Sequence, residues 1–491
     1  MQKRAICGAG PSRAAVPCIV TVLIVLLSGC AATRPDPQAE AAAAQAVGLD
    51  GAIAFHTEGG PLDEAEVGDA LTLVDAVRRA VTTDPGLQAA LARVRIAMAD
   101  ADQARLLPNP VLSVVLRWGP GRPQIEASLA QDLIQALQVP RRASAADNRL
   151  RQAAADAVTT ALDVAAEVQE RYASVQALDT LIPLLQERLT LLRRLTETAR
   201  ARLEAGEGTR TDVTILDAQR VELEVEIAAA ELQRREDRIR LARLLGEPSS
   251  AAAWMLEPWS APVPVAEPES RWIDAALTNR PEVQTVAWQL AALGDDYALA
   301  RLLPWEGAGA GIEAEHDGDW LVGPAVSTPV PVLDTGQARR ARVTAEQVEA
   351  RHNLTLAKRR VVEEVRVAYQ TLAAGLANLD RIRNELIPLQ QQRRQVTEDV
   401  YLVERDITPL LLAEHDLRTA QASAIDAERQ AAIALIRLQR AVGGLGVARE
   451  VGGTPPAAEP LSPPLPAAQS RATVTDPTSP LLAPDSRRRT R

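Results

Sequence analysis

Histidines, cysteines and carboxylates are where reactions and metal sites begin, and their spacing limits what they can do. The four histidines, His56, His316, His352 and His415, are scattered along the chain. Only His316 stands among acids, in Glu313-Ala314-Glu315-His316-Asp317-Gly318-Asp319. Such a run could hold a cation, but Asp317-Gly318 is also a hairpin-turn pair whose acidic flanks face water. We take the turn reading and expect no metal and no cofactor. The chain has no HExxH, no CxxC and no phosphate loop, and GAGAG (307–311) precedes no G-x-x-G helix start. No catalytic residue is expected, so the chain does not read as an enzyme. The acids Asp212, Asp217, Asp406, Glu414 and Asp416 gather near two breaks in long helices. Rings of such acids select permeants in pores, while isolated ones cap helices or are solvated.

The three cysteines are Cys7, Cys18 and Cys30. Lys3, Arg4 and Arg13 precede an apolar run that ends in Leu27-Ser28-Gly29-Cys30, as in a secretory signal. That ending resembles the bacterial lipobox, which implies acylation of Cys30 after removal of residues 1–29. Ala31, rather than Asp, at the next position implies release to the outer membrane. The mature chain would then have no free thiol, so no disulfide, thiolate metal site or Cys nucleophile can be built.

The surrounding elements repeat. Residues 80–108 and 276–304, laid over each other without a gap, match at Ala80, Thr82, Pro85, Gln88 and Asp100 and throughout the pentapeptide ARLLP. Each copy continues into a strand hairpin, a long helix, a break and a shorter helix. In the first unit these are a helix from Leu71 to Leu107, strands at 111–118 and 124–131, a helix from Arg141 to about Leu203, a break at Gly206 and Gly208, and a helix from Thr211 to Leu245. In the second, a helix ends at Pro304, strands follow at about 308–316 and 320–327, and helices run from Arg339 to about Glu404 and from Thr408 to Val442. Two LIPL segments, 181–184 and 386–389, stand out of step with the other repeated landmarks. The units are 70–246 and 270–446, joined by a linker at 247–269, after a tether at 30–69 and before a Pro-rich tail at 447–491.

With 47% apolar but only 2% aromatic residues, the core must be built from Ala, Leu and Val, an alphabet suited to close-packed long helices. A net charge of −10 leaves no basic surplus for nucleic acid. Between 211 and 245, Leu216, Leu223, Ile227 and Ala230 form one stripe, and Val221, Val225, Ala228 and Leu232 form a second, rotated by roughly 140°. A bundle helix needs one broad apolar face. A helix in the wall of a tube needs two, one for each neighbour.

The two-fold unit, the paired ARLLP segments, GTRTDVTILDAQRVEL (208–223) and PVPVLDTGQARRARV (329–343) together resemble the TolC-like outer-membrane efflux family, over about 70–446. The resemblance implies a mainly α fold with a small β part. Three protomers would each give four strands to a 12-stranded outer-membrane β-barrel, their long antiparallel helices forming an α-barrel across the periplasm. It implies a passive exit duct serving an inner-membrane pump through a periplasmic adaptor, and PVPVLDTGQ leans toward the heavy-metal RND type. A protein-secretion duct of the same fold, or a periplasmic adaptor lipoprotein, are the alternatives. Adaptors carry one helical hairpin among β-rich domains, whereas two hairpins are expected here. The resemblance places adaptor docking at the turns holding Gly206, Gly208, Thr211, Arg405, Asp406 and Thr408, with Gly208 supplying a positive φ and Thr211 and Thr408 capping the next helices. Arg405 departs from the family's glycine and would pair with a neighbour's acid. By their place near the helical turns, Asp212, Asp217, Glu414 and Asp416 are the candidate pore acids, with solvation or helix capping as the alternative. Trp118, Trp305 and Trp320 are candidates for a thin aromatic girdle. The hairpin tips 119–123 and 316–320 are expected outside the cell.

Overall fold

Proline decides the first departure from the expected helices. In α2 (Leu73–Thr83) and α3 (Pro85–Arg105) the single expected helix is split at Asp84-Pro85. Pro85 has no N–H and pushes Asp84 to ψ 119, and the Asp84 carboxylate accepts from Leu87 N at 2.8 Å to start α3. The structure, a computed structural model, describes residues 38–57, 70–119, 123–248, 252, 254–259, 267–316, 318–404, 407–445 and 447–448. Cys30, Asp317, Arg405 and Asp406 lie outside them, as do most of the tail and three residues of the first hairpin tip.

Within the stretch expected as a tether, Ala39–Ala46 form α1, which buries Ala39, Ala43 and Ala44. Ala70–Leu71 (β1) pair in parallel with Met255–Leu256 (β4) of the linker. The Tyr172 hydroxyl donates to Leu71 O at 2.7 Å and accepts from Glu257 N at 3.1 Å, fixing both to the long helix.

Strands β2 (Val111–Arg117) and β3 (Gln124–Asp132) come next, and β3 runs directly into α4 (Leu133–Glu204). At 72 residues α4 is about 108 Å long. It begins before the expected Arg141 because both Pro140 and Pro183 are accommodated inside it. Helix α5 (Arg210–Leu244) returns antiparallel. The second repeat gives α6 (Glu269–Asn279), α7 (Pro281–Leu302), β5 (Gly309–His316), β6 (Trp320–Ser327), α8 (Gln337–Arg381), α9 (Ile387–Glu404) and α10 (Thr408–Ala441). A π turn at Ile382–Leu386 interrupts the second long helix between α8 and α9. One surplus residue shifts register by one, not by the seven or so that separate the two LIPL segments from the other landmarks. Their surroundings differ too. Ile182 is buried, whereas Leu386 and Leu389 are exposed.

Gly246 and Gly443 end α5 and α10 in the same way. Each has a positive φ, and the following N–H reaches back to Ala242 O or Gln439 O. Gly246 abuts Thr83, and Gly443 abuts Asn279. So each short helix stacks end to end on another, and the pair matches one long helix. Away from the sheet the helices lie in the order α5, α4, α10, then α8 and α9; nearer the sheet the order is α3, α4, α7, α8.

The four strands form one antiparallel sheet ordered β2-β3-β5-β6. Opposed residues share a face. The rows Leu116–Ile125–His316–Trp320, Val114–Ala127–Ala314–Val322 and Leu112–Leu129–Ile312–Pro324 make one face nearly apolar. Ser113–Ser128–Glu313–Gly323 and Val115–Glu126–Glu315–Leu321 lie on the other. Alternation that is weak along single strands is clear across the sheet. Glycine at 311 also has its reason: a Cβ there would stand 2.2 Å from Leu129 O.

Candidate functional site at the helix turns and unpaired edges

The α4–α5 turn is built by backbone rules. Ala205 caps α4, Gly206 takes φ +78, and Glu207 N donates to Arg202 O at 2.8 Å. The positive φ expected at Gly208 thus falls on Gly206. Gly208 is needed for closeness instead, since a Cβ would meet Leu203 N at 3.1 Å. The capping role expected of Thr211 belongs to Thr209. Its hydroxyl accepts from Asp212 N at 3.2 Å, while Asp212 accepts from Thr209 N at 3.0 Å. Thr211 lies inside α5 because the acid three residues on, which completes the box, belongs to Thr209.

The second turn is made differently. Thr408 is the first residue of α10, followed by Pro409, and the N-cap is Ile407 with no side-chain cap. The expected cap by Thr408 is therefore replaced by an N-terminal proline that needs no hydrogen bond.

The four candidate pore acids are each held inside the protomer. Asp212 belongs to the capping box, and its hydrogen bonds from the Thr209 side chain and backbone lower its pKa. Asp217 takes both carboxylate oxygens to Arg200 at 2.9 Å, and this lowers its pKa. Glu414 meets Arg394 at 2.6 Å and Arg418 at 3.1 Å, and Asp416 meets Arg393. Arg418 also reaches Glu187 on α4 at 3.2 Å. His415 sits in this network with its pKa lowered by burial and then by Arg188, against the opposing pull of Asp416. Arg200, Arg393 and Arg394 come from other helices than the acids they hold, so no local pattern in the sequence marks them; Arg418 is on the same helix as Glu414. Among the described residues no cluster could hold a metal ion.

The two hairpins differ in packing. Leu185, Leu192 and Leu195 of α4 are buried against Leu223 and Ile227 of α5. Helix α9 has no buried residue among those described, and ion pairs tie it to α10.

Both outer edges of the helical layer are apolar. In α5, Leu223 is 3% exposed and Val225, two residues on, is 64% exposed. The first stripe packs on α4; Val221, Val225 and Leu232 of the second are exposed among the described residues. At the opposite edge, Leu389, Val396 and Val400 of α9 are exposed. The sheet likewise ends in two unpaired strands, β2 and β6. Trp118 and Trp320 stand exposed at its tip and Trp305 at its base. No described helix is long and apolar enough to cross a membrane.

The family model "Outer membrane efflux protein" matches residues 76–247, the first repeat. A curated relative, the outer membrane efflux protein BepC of Brucella suis biovar 1 (strain 1330), is 25% identical over 283 residues. That match covers 55% of this chain and 61% of the relative, so the chain spans less than two thirds of its length. Among solved structures, the outer-membrane channel OprN aligns with TM-score 0.62 at 19% identity, covering 76% of this chain and 90% of that one. VceC of Vibrio cholerae aligns with TM-score 0.61 at 17% identity, covering 76% and 96%. The MtrE channel of Neisseria gonorrhoeae aligns with TM-score 0.59 at 18% identity, covering 76% and 89%. The resemblance read from the sequence is borne out, as is the mainly helical fold with a small four-stranded part.

Proposed function

We propose that the chain is the outer-membrane exit duct of a tripartite efflux system, formed by three copies. The observation that carries this reading is the pair of unpartnered edges. Burying Val221, Val225 and Leu232 against a neighbour's α8–α9 edge would contribute roughly 1.5 kcal/mol per side chain. Pairing β6 of one copy with β2 of the next gives twelve strands and leaves no open edge, as lipid requires. The apolar rows then face lipid, and Ser113, Ser128, Glu126, Glu313 and Glu315 face the lumen.

The long helices carry the duct into the periplasm. Their turns, around 206–209 and 404–408, dock an adaptor that connects to an inner-membrane pump, here proposed to be of the heavy-metal RND type. The chain works passively: it supplies a path, and the pump supplies the energy. Acylated Cys30 adds a lipid anchor to the barrel. The arginine-bound acids at the turns are the contacts that an opening mouth must rearrange. The relatives are efflux proteins and channels, which weighs against the adaptor reading, and nothing in the described fold favours a secretion duct.

Removing the chain from its cells should raise retention of the substrate exported by the pump encoded beside it, and resupplying the chain should restore export. Unchanged export without the chain would overturn the proposal.

A further inference from the structure

The lipid-facing side of the sheet is short. Its strands have 7, 9, 8 and 8 residues, against roughly 9–11 for a strand that spans a bilayer. From Trp320 to Val326, the apolar face of β6 covers about 20 Å along the strand. At a tilt of about 40° that is only about 15 Å of height, whereas outer-membrane barrels present an apolar band of about 25 Å.

The missing height is found just beyond β6. The even positions from Val322 to Val332 stay exposed; among the odd ones 323, 325, 329 and 331 are half-buried and Ser327 is exposed. The alternation lapses at Ser327, resumes through Pro329 and Val330, and ends where Val332 N donates to Val330 O at 2.8 Å in a tight turn about Pro331. Beyond Thr328, Val330 prolongs the row of Val322, Pro324 and Val326 at 77% exposure, and past the turn Val332 and Leu333 are 74% and 92% exposed. Carried to Val330, where the chain turns, the apolar face reaches at most about 33 Å along the chain and about 25 Å in height.

This segment is held in place. Asp334 accepts from Gly336 N at 2.8 Å and meets Arg339 at 3.3 Å. Gln337 accepts from Thr335 N at 3.0 Å. Gly336 has φ +77, and a Cβ there would stand 2.8 Å from Pro304 at the end of α7. A fixed base thus presents three bare apolar side chains, and charged residues begin immediately after them with Asp334, Arg339 and Arg340. Apolar above and charged below is the profile of a membrane boundary.

We infer that Val330, Val332 and Leu333 are a lipid-contacting extension of the barrel, seated in the periplasmic leaflet of the outer membrane and setting how deep the duct sits. The inference rests on the exit-duct reading. A neighbouring copy is the less fitting occupant. In a closed barrel it meets β6 through the backbone edge, whereas Val330 continues the face that looks away from the lumen, and Val332 and Leu333 follow it directly past the turn.

Single cysteines at 322, 330, 332 and 333 of the full chain, and at Leu321 on the opposite face, would each carry a fluorophore. The native cysteines all lie at or before residue 30, and the chain with no added cysteine gives the background. The assembled protein is placed in phosphatidylethanolamine–phosphatidylglycerol vesicles holding a nitroxide-labelled phospholipid, with aqueous iodide as the competing quencher. The lipid quencher should act at Val330→Cys, Val332→Cys and Leu333→Cys as strongly as at Val322→Cys, with Leu321→Cys spared. If 322 is quenched by lipid but 330–333 respond only to iodide, the extension is in water and the inference is wrong. Protection of 330–333 from both quenchers means that a second copy covers them, which also overturns it. Loss of lipid quenching at 322 itself would overturn the barrel reading instead.

Discussion

Arg141 of α4 donates to Asp295 of α7 at 3.0 Å, and so ties the first long helix to the second repeat. Asp295 also accepts from Ser144 at 2.6 Å. The same arrangement recurs within the first repeat, where the fully buried Asp237 accepts from Arg171 at 3.0 Å and Ser174 at 2.7 Å. Arg141 is largely exposed and regains water if its partner is lost, while Arg171 is mostly enclosed. Asp295→Ala should therefore cost about 2 kcal/mol, and Asp237→Ala about 3–5 kcal/mol, because it leaves a buried cation unpaired. Guanidinium unfolding of the detergent-solubilised protein would rank them. An equal or smaller loss for Asp237→Ala would contradict this assignment.

At the first turn, Gly206→Ala should lower stability by about 1 kcal/mol through its positive φ. Gly208→Val must displace the end of α4 and should abolish efflux while trimer level and outer-membrane location stay normal. Cysteines at 209 and 407 should crosslink to the adaptor. If turn variants assemble, fail to crosslink and still export fully, the turns do not dock it.

Much of this architecture is legible in the sequence because it is periodic. The two stripes of α5 follow from helical spacing alone, and the structure buries one and bares the other. The strand pairs follow from turn residues between apolar runs. Periodicity also misled: it carries through Asp84-Pro85, where the missing N–H of proline ends one helix and starts the next. The capping pair Thr209–Asp212 is legible from its three-residue spacing, but Thr211 is expected instead because it stands three residues beyond the break at Gly208, as Thr408 does beyond Arg405. The face of each strand was not legible, since it emerges only when the register sets Val114 beside Ala127 and Val322. Pairs such as Arg418 with Glu187 join residues far apart in sequence, and no local pattern announces them.

Acid should loosen the second hairpin first. Burial and Arg188 hold the pKa of His415 below the usual histidine value, so the unfolded chain binds the proton more readily. The stability tied to neutral His415 is present above about pH 6.5 and is lost as pH falls through its lower folded value. The depressed carboxylates Asp217 and Glu224 lose their contribution only in a more acidic window. Protection factors for amide exchange in α9 and α10, corrected for the intrinsic slowing of exchange in acid, should fall between neutral and mildly acidic pH, and His415→Gln should flatten that dependence. An unchanged pH profile in His415→Gln would assign the effect elsewhere.

Cys30→Ala should abolish incorporation of a radioactive fatty acid while the barrel still reaches the outer membrane. Label that persists in the variant would refute acylation at this residue.

Closure of three copies through their apolar edges is the claim on which the rest depends, and a disulfide tests it directly. Val225 stands about 24 Å from the first turn and Leu389 about 23 Å from the second, by helical rise. In a closed tube they meet across the boundary between copies. With Val225→Cys and Leu389→Cys in one chain, mild oxidation should give covalently linked dimers and trimers on denaturing gels, and neither single variant should give the trimer. A doubly substituted chain that folds, reaches the outer membrane and remains wholly monomeric after oxidation would contradict the account.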